Sequence, residues 1–174
     1  MSKKTYWSAG LVVSLALAAL VAVPSAQAVA DPITSVTVND GYSTTLETTT
    51  DYSVTITFGQ TIPTGSALTF NLFYQGDCPG MDLCVHWMNN ATISATGVTG
   101  DVQNASNTPG MGPEAAILNL SSAVSGTKTF TIGNVVNPSY SGMYAIGIEV
   151  RLASETAPGQ RLTATPPLYI GDVN

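Results

Sequence analysis

The stretch YSVTITF, residues 52–58, decides the fold class, because Tyr52, Val54, Ile56 and Phe58 alternate with Ser53, Thr55 and Thr57. A period of two places the four large apolar side chains on one face of an extended strand and the three hydroxyls on the other. One buried face and one wet face is the pattern of an antiparallel sheet packed on a core. The run ALTFNLFY, residues 67–74, repeats the device, with Leu68, Phe70, Leu72 and Tyr74 on one side and Thr69, Asn71 and Phe73 on the other. The turn IPTG separates the two runs, so they are expected as antiparallel neighbours. A third alternation, MYAIGIEVRL at 143–152, sets Tyr144, Ile146, Ile148, Val150 and Leu152 against Ala145, Gly147, Glu149 and Arg151.

Shorter strand candidates are SVTVN, VHWM, ATISAT, AAILNLS, KTFTIG, RLTAT and PLYIGD, separated by turn formers such as NDG, TGSA, VTGD, VSGT and NPSYSG. Many short strands with frequent turns, and no sustained helical period, predict an all-β chain forming a single immunoglobulin-like or jelly-roll β-sandwich. The segment ASNTPGMGPE, residues 105–114, holds two prolines and two glycines and reads as a connection between sheets.

The N-terminus reads as a secretory signal peptide: Lys3 and Lys4, an apolar run from Leu11 to Val23, then small residues around Ala26, Ala28 and Ala30. The apolar run is short for a membrane span, which needs roughly 20 residues. Cleavage after Ala30 is expected, giving a leader at 1–30 and one domain at 31–174, with no membrane attachment afterwards. The remaining 144 residues (174 − 30) carry three basic and eleven acidic side chains, a formal charge of 3 − 11 = −8. Such a chain repels a phosphate backbone, so nucleic acid and anionic membrane surfaces are excluded as expected partners. Charge is sparse even so, and hydroxyls take its place, with 22 Thr and 12 Ser beyond residue 30. Threonine is β-branched and suits the solvent face of a strand. The composition points to secreted, extracellular or cell-surface β-structure.

The combination YSVTITFGQTIPTGSALTFNL and TFTIGNVVNPSYSGMYAIGIEVRLASET resembles the immunoglobulin-like β-sandwich domains of bacterial and archaeal secreted cell-surface proteins, of surface-layer or adhesin type. The matching turn positions are Ile62, Pro63 and Gly65, then Asn137, Pro138, Gly142 and Tyr144, within a likeness covering roughly residues 51–156. The resemblance implies a structural or adhesive role and no catalytic residue. Such domains often sit in long multidomain chains, whereas this chain reads as one domain.

The chemistry-bearing stretch is QGDCPGMDLCVHW, residues 75–87, with both cysteines and the single histidine. In an exported chain Cys78 and Cys84 are expected as a disulfide around a PG turn, a staple worth about 2 kcal/mol on the chain-entropy model. The spacing fits neither C-x-x-C redox chemistry nor C-x-x-C-H haem attachment. Cys84, His86, Met88 and Met81 are soft or borderline copper ligands, but the disulfide consumes the thiolate. His86 has no G-x-S-x-G partner for hydrolase chemistry, and no acidic pair stands out for glycoside hydrolysis. No enzyme and no cofactor is expected. Calcium has one candidate position, the oxygen-rich DVQNASN with Asp101, Asn104 and Asn107, read as a loop. Sequons occur at Asn90, Asn104 and Asn119.

Two functions follow as expectations. The first is a secreted, non-enzymatic structural or adhesive protein of the cell envelope or an extracellular assembly, self-associating through sheet edges or by inserting DPITSVTVND beside a neighbour's sheet. The alternative is a carbohydrate-binding module that stacks polysaccharide on Phe73, Trp87 or Tyr140.

Overall fold

The computed structural model describes residues 31–38, 45–77, 88, 90–105, 115–155 and 162–171. Its strands are β1 (Ile33–Val38), β2 (Thr49–Ile62), β3 (Ala67–Tyr74), β4 (Thr92–Ala95), β5 (Gly100–Ala105), β6 (Ala115–Leu120), β7 (Val124–Val136), β8 (Gly142–Arg151), β9 (Leu162–Ala164) and β10 (Leu168–Ile170). They form two antiparallel sheets. Sheet A has the order β1-β2-β7-β4, and sheet B the order β10-β8-β3-β6-β5 with β9 also paired to β8. The chain is an all-β sandwich. The expected leader at 1–30 and the cysteine loop lie outside the described residues.

Alternation builds the core as the sequence predicts. Tyr52, Val54, Ile56 and Phe58 of β2 are buried, as are Leu68, Phe70 and Leu72 of β3 and Tyr144, Ile146, Ile148 and Val150 of β8. Phe130 of β7 joins the layers, its ring 5.6 Å from Phe70 in sheet B and 6.4 Å from Phe58 in sheet A. Each fully buried ring of this size contributes about 1.5–3 kcal/mol through area removed from water.

The expected pairing of β2 with β3 does not occur. β2 lies between β1 and β7, while β3 lies between β6 and β8. The IPTG segment carries the chain across the sandwich instead of folding it back. Gly65 stands at φ 83°, its N–H donates to the Leu120 carbonyl at 2.8 Å, and the Leu120 N–H donates to the Ser66 carbonyl at 2.8 Å. Those two bonds hand the backbone to the end of β6. Two strands with apolar faces satisfy the same alternation facing each other across a core as lying side by side, so the period fixes the buried face and not the sheet.

β1 runs along β2, with Val36 opposite Ile56 and Val38 opposite Val54, and its Ile33 and Val36 are buried. The segment expected to reach into a neighbour therefore occupies the edge of its own sheet.

Two polar contacts hold the irregular places. Asn137, buried in the NPSYSG turn, donates its backbone N–H to the Thr48 carbonyl at 2.9 Å and its Nδ2 to the Thr45 carbonyl at 2.7 Å. Its Oδ1 accepts from the buried Tyr52 hydroxyl, so the turn after β7 is tied to the start of β2. On the far edge of sheet B, Pro166 and Pro167 interrupt the strip made by β9 and β10, since proline cannot donate to a ladder. Buried Thr165 bridges the break. Its N–H donates to the Ile146 carbonyl at 2.9 Å, and its Oγ1 accepts from the Ile146 N–H at 3.0 Å. A side-chain oxygen here replaces a ladder carbonyl.

Candidate functional site

The two outer faces of the sandwich differ in chemistry. On sheet A the strand register lines up hydroxyls in rows: Thr37, Thr55 and Thr129 across β1, β2 and β7, then Ser35, Thr57 and Thr127, then Ser53, Thr131 and Ser94 across β2, β7 and β4. Sheet spacing sets these about 4.8 Å apart across strands and about 6.8 Å along them. Two rows are bonded internally, Thr55 Oγ1 to Thr129 Oγ1 at 2.9 Å and Thr57 Oγ1 to Thr127 Oγ1 at 3.1 Å. Beside them a depression of about 400 Å³ opens between β4 and β7, lined by Ser94, Ala95, Thr96, Thr129 and Thr131.

On sheet B the outward positions of β8 are Met143, Ala145, Gly147, Glu149 and Arg151. Met143 faces Tyr169 of β10 across the ladder, and both are exposed, at 43% and 38%. Phe73 of β3 faces Ala145 on the same side and is half-buried. The apolar patch Phe73, Met143 and Tyr169 thus occupies one end of the face, and Glu149 and Arg151 the other. Tyr169 was legible in the sequence, since alternation through PLYIGD turns it away from Leu168 and Ile170.

At the same end of sheet B, on its inner face, lies a knot of tyrosines. The Tyr74 ring meets Tyr140 edge-on at 5.6 Å and Tyr144 at 5.2 Å, and the Tyr144 hydroxyl donates to the Tyr140 carbonyl at 2.7 Å. A side chain at Gly142 would begin 2.4 Å from the Tyr74 ring, which is why that position of the NPSYSG turn is glycine. Burial pushes the Tyr144 phenol up to about 12, with Tyr74 and Tyr140 adding to the effect. Burial also raises Tyr74, again with help from Tyr140.

The remaining sequence candidates scatter. Cys78, Cys84, His86, Trp87 and Asn107 lie outside the described residues. Met88 is buried in the core. Tyr140 is half-buried, its ring committed to Tyr74. Asp101 and Asn104 are exposed on strand β5 instead of a loop, opposite Asn119 and Ala116 of β6. An offset of three along a strand turns them to opposite faces, about 10 Å apart. The loop reading failed because β5 shows one large apolar residue, Val102, opposite Leu118; a largely polar edge strand leaves little periodic signal. Among the described residues no three of His, Cys, Asp or Glu come together, and no helix is long and apolar enough to cross a membrane.

No family model matches the chain, and no curated protein does. Solved structures similar to it include BslA, a bacterial hydrophobin, 13% identical, covering 79% of this chain and 95% of that one at a TM-score of 0.42. Another is AvmM, which catalyses macrocyclization in alchivemycin A biosynthesis, 11% identical, covering 82% of this chain and 90% of that one at a TM-score of 0.44. At such scores neither likeness extends to function.

Proposed function

We propose that the chain is a secreted, non-enzymatic structural or adhesive protein of the cell envelope or an extracellular assembly, and that it self-associates through the outer face of sheet B. The observation that carries this is the exposed cross-strand pair of Met143 and Tyr169 beside Phe73. Water-exposed rings and thioethers gathered at one end of a sheet are suited to contact, whereas single exposed apolar residues need no explanation. The signal-like N-terminus and the hydroxyl-rich surface support export. The Tyr144 hydroxyl reaching back to the Tyr140 carbonyl is similar to the tyrosine-corner bond of immunoglobulin-type sandwiches, and this likeness favours the resemblance of the turn motifs to cell-surface domains.

Light scattering of the mature chain across concentration tests the reading. The wild type is expected to grow in mass with concentration, and the Met143→Thr/Tyr169→Thr variant to remain monomeric. A wild type that stays monomeric throughout sinks the proposal. The second reading, a polysaccharide platform, rests on the exposure of Tyr169 on the same face as Phe73, with Met143 between their strands; on that reading Tyr169→Ala abolishes polysaccharide retention and leaves the mass in solution unchanged.

A further inference from the structure

We propose that the depression between β4 and β7, on the outer face of sheet A, is a binding site for a neutral glycan, separate from the sheet B patch and independent of the association assigned to it. The depression measures about 400 Å³ and is lined by Ser94, Ala95, Thr96, Thr129 and Thr131. A volume in this range suits one or two sugar rings. Its lining carries no charged side chain, and every polar group in it is a hydroxyl, which both donates and accepts. That is the recognition chemistry of another polyhydroxylated surface, and it offers no opposite charge to a carboxylate, a phosphate or a metal ion.

The hydroxyls within it also differ from those around it. In the neighbouring rows Thr55 bonds to Thr129 and Thr57 to Thr127, so much of their capacity is already used. The side-chain hydroxyls of Ser94, Thr96 and Thr131 make no hydrogen bond to another described residue. Ser94 and Thr131 face each other directly across the β4–β7 ladder, a fixed pair of hydroxyls about 5 Å apart at their Cβ atoms. The Thr55–Thr129 bond fixes the far wall. A rigid floor of strand residues holds these groups in place before any ligand arrives, which limits the ordering cost of binding.

The ligand is one neutral chain and not an extended crystal plane. The depression is shallow, and the twist of about 20° between neighbouring strands carries the outer hydroxyl rows out of one plane.

Affinity electrophoresis of the full mature protein tests the proposal, in gels cast with a neutral β-glucan or with a polyuronate. Retardation is expected in the neutral gel alone. The Ser94→Ala/Thr131→Val variant keeps the shape of an exposed surface, so it should unfold at the wild-type temperature. It should bind about tenfold more weakly, the loss expected for two hydrogen bonds of ordinary strength. Tyr169→Ala should bind as the wild type does. Absence of retardation in the neutral gel, retardation equal in both gels, or a loss that follows Tyr169→Ala instead of the hydroxyl variant overturns the proposal. None of these outcomes bears on the concentration dependence of mass, which tests the sheet B contact separately.

Discussion

The outer faces of the two sheets are built by the same alternation and end with different chemistry. Sheet A turns outward Ser35, Thr37, Ser53, Thr55, Thr57, Thr127, Thr129, Thr131 and Ser94. Sheet B turns outward Met143, Tyr169 and Phe73 at one end and Glu149 and Arg151 at the other. The inner faces of both are predominantly apolar and constrained by packing. The outer faces carry less of that constraint, although Ala145 and Gly147 on the sheet B face are buried, so their exposed residues reflect what each meets outside the molecule. A hydroxylated face stays wetted and takes polar company; a face with exposed rings can shed water against another surface.

The largest test of this contrast concerns how the sheet B face is held. Tyr169 projects from β10, and β10 reaches its place through the Thr165 bridge over Pro166 and Pro167. Thr165→Val keeps the volume and the β-branch but leaves the buried Ile146 N–H without its acceptor. A buried unsatisfied donor costs about 1–3 kcal/mol, to be read as a lower urea midpoint. The same variant should weaken association, because the Met143–Tyr169 pair loses its frame. A loss of stability with association intact would mean that the contact lies elsewhere.

A second test is alkaline. The Tyr144 phenol is raised in the folded protein from 10.0 to about 12, so the fold favours its neutral form. Its contribution to stability is complete below pH 10, where folded and unfolded chains both keep the proton. It is lost progressively as pH rises from 10 towards 12, because the unfolded chain releases the proton first. Urea midpoints should therefore fall through that window, and Tyr144→Phe, which cannot ionise, should flatten the fall. An unchanged slope in the variant would show that another phenol carries it.

How much of this contrast was legible in the sequence depended on which residues carry a period. The inner faces of β2, β3 and β8 were plain, because four or five large apolar residues alternate without interruption. The assignment of β2 and β3 to different sheets was not, because it rests on Gly65, Ser66 and Leu120, whose backbone bonds connect residues far apart in the chain. β5 was hidden because its inner face sends only Val102 against the core, so the strand shows no apolar row. The hydroxyl depression was equally hidden: each of Ser94, Thr129 and Thr131 reads as an ordinary solvent-facing residue, and only the register of β4 on β7 brings them together. Tyr169 and Met143 were within reach of alternation alone, yet their meeting depends on β10 lying beside β8, a pairing of distant segments.

Exchanging the chemistry of the faces sharpens the comparison further. Met143→Thr/Tyr169→Thr gives sheet B the surface of sheet A. Both residues are exposed, so stability should stay within about 0.5 kcal/mol of the wild type, while concentration-dependent mass should disappear. A large loss of stability would instead identify the pair as part of the core.

The smallest effect is expected from the reverse exchange. Thr55→Val with Thr129→Val removes the 2.9 Å hydroxyl pair from sheet A and replaces it with two β-branched apolar side chains of nearly the same shape. Cross-strand pairs of this kind differ by about 0.2–1 kcal/mol. Removing both partners together leaves neither hydroxyl of the pair without the other, so the midpoint of unfolding should move little. The face would nonetheless lose its continuous wetting, because the substitution lies in the middle of the array, flanked by Thr37 on one side and by the depression on the other. The expected outcome is a stable protein whose mass now grows with concentration even when Met143 and Tyr169 carry threonine. If that protein stays monomeric, two valines are too small a patch to drive contact, and the association of the wild type must depend on the aromatic ring of Tyr169 rather than on apolar area alone.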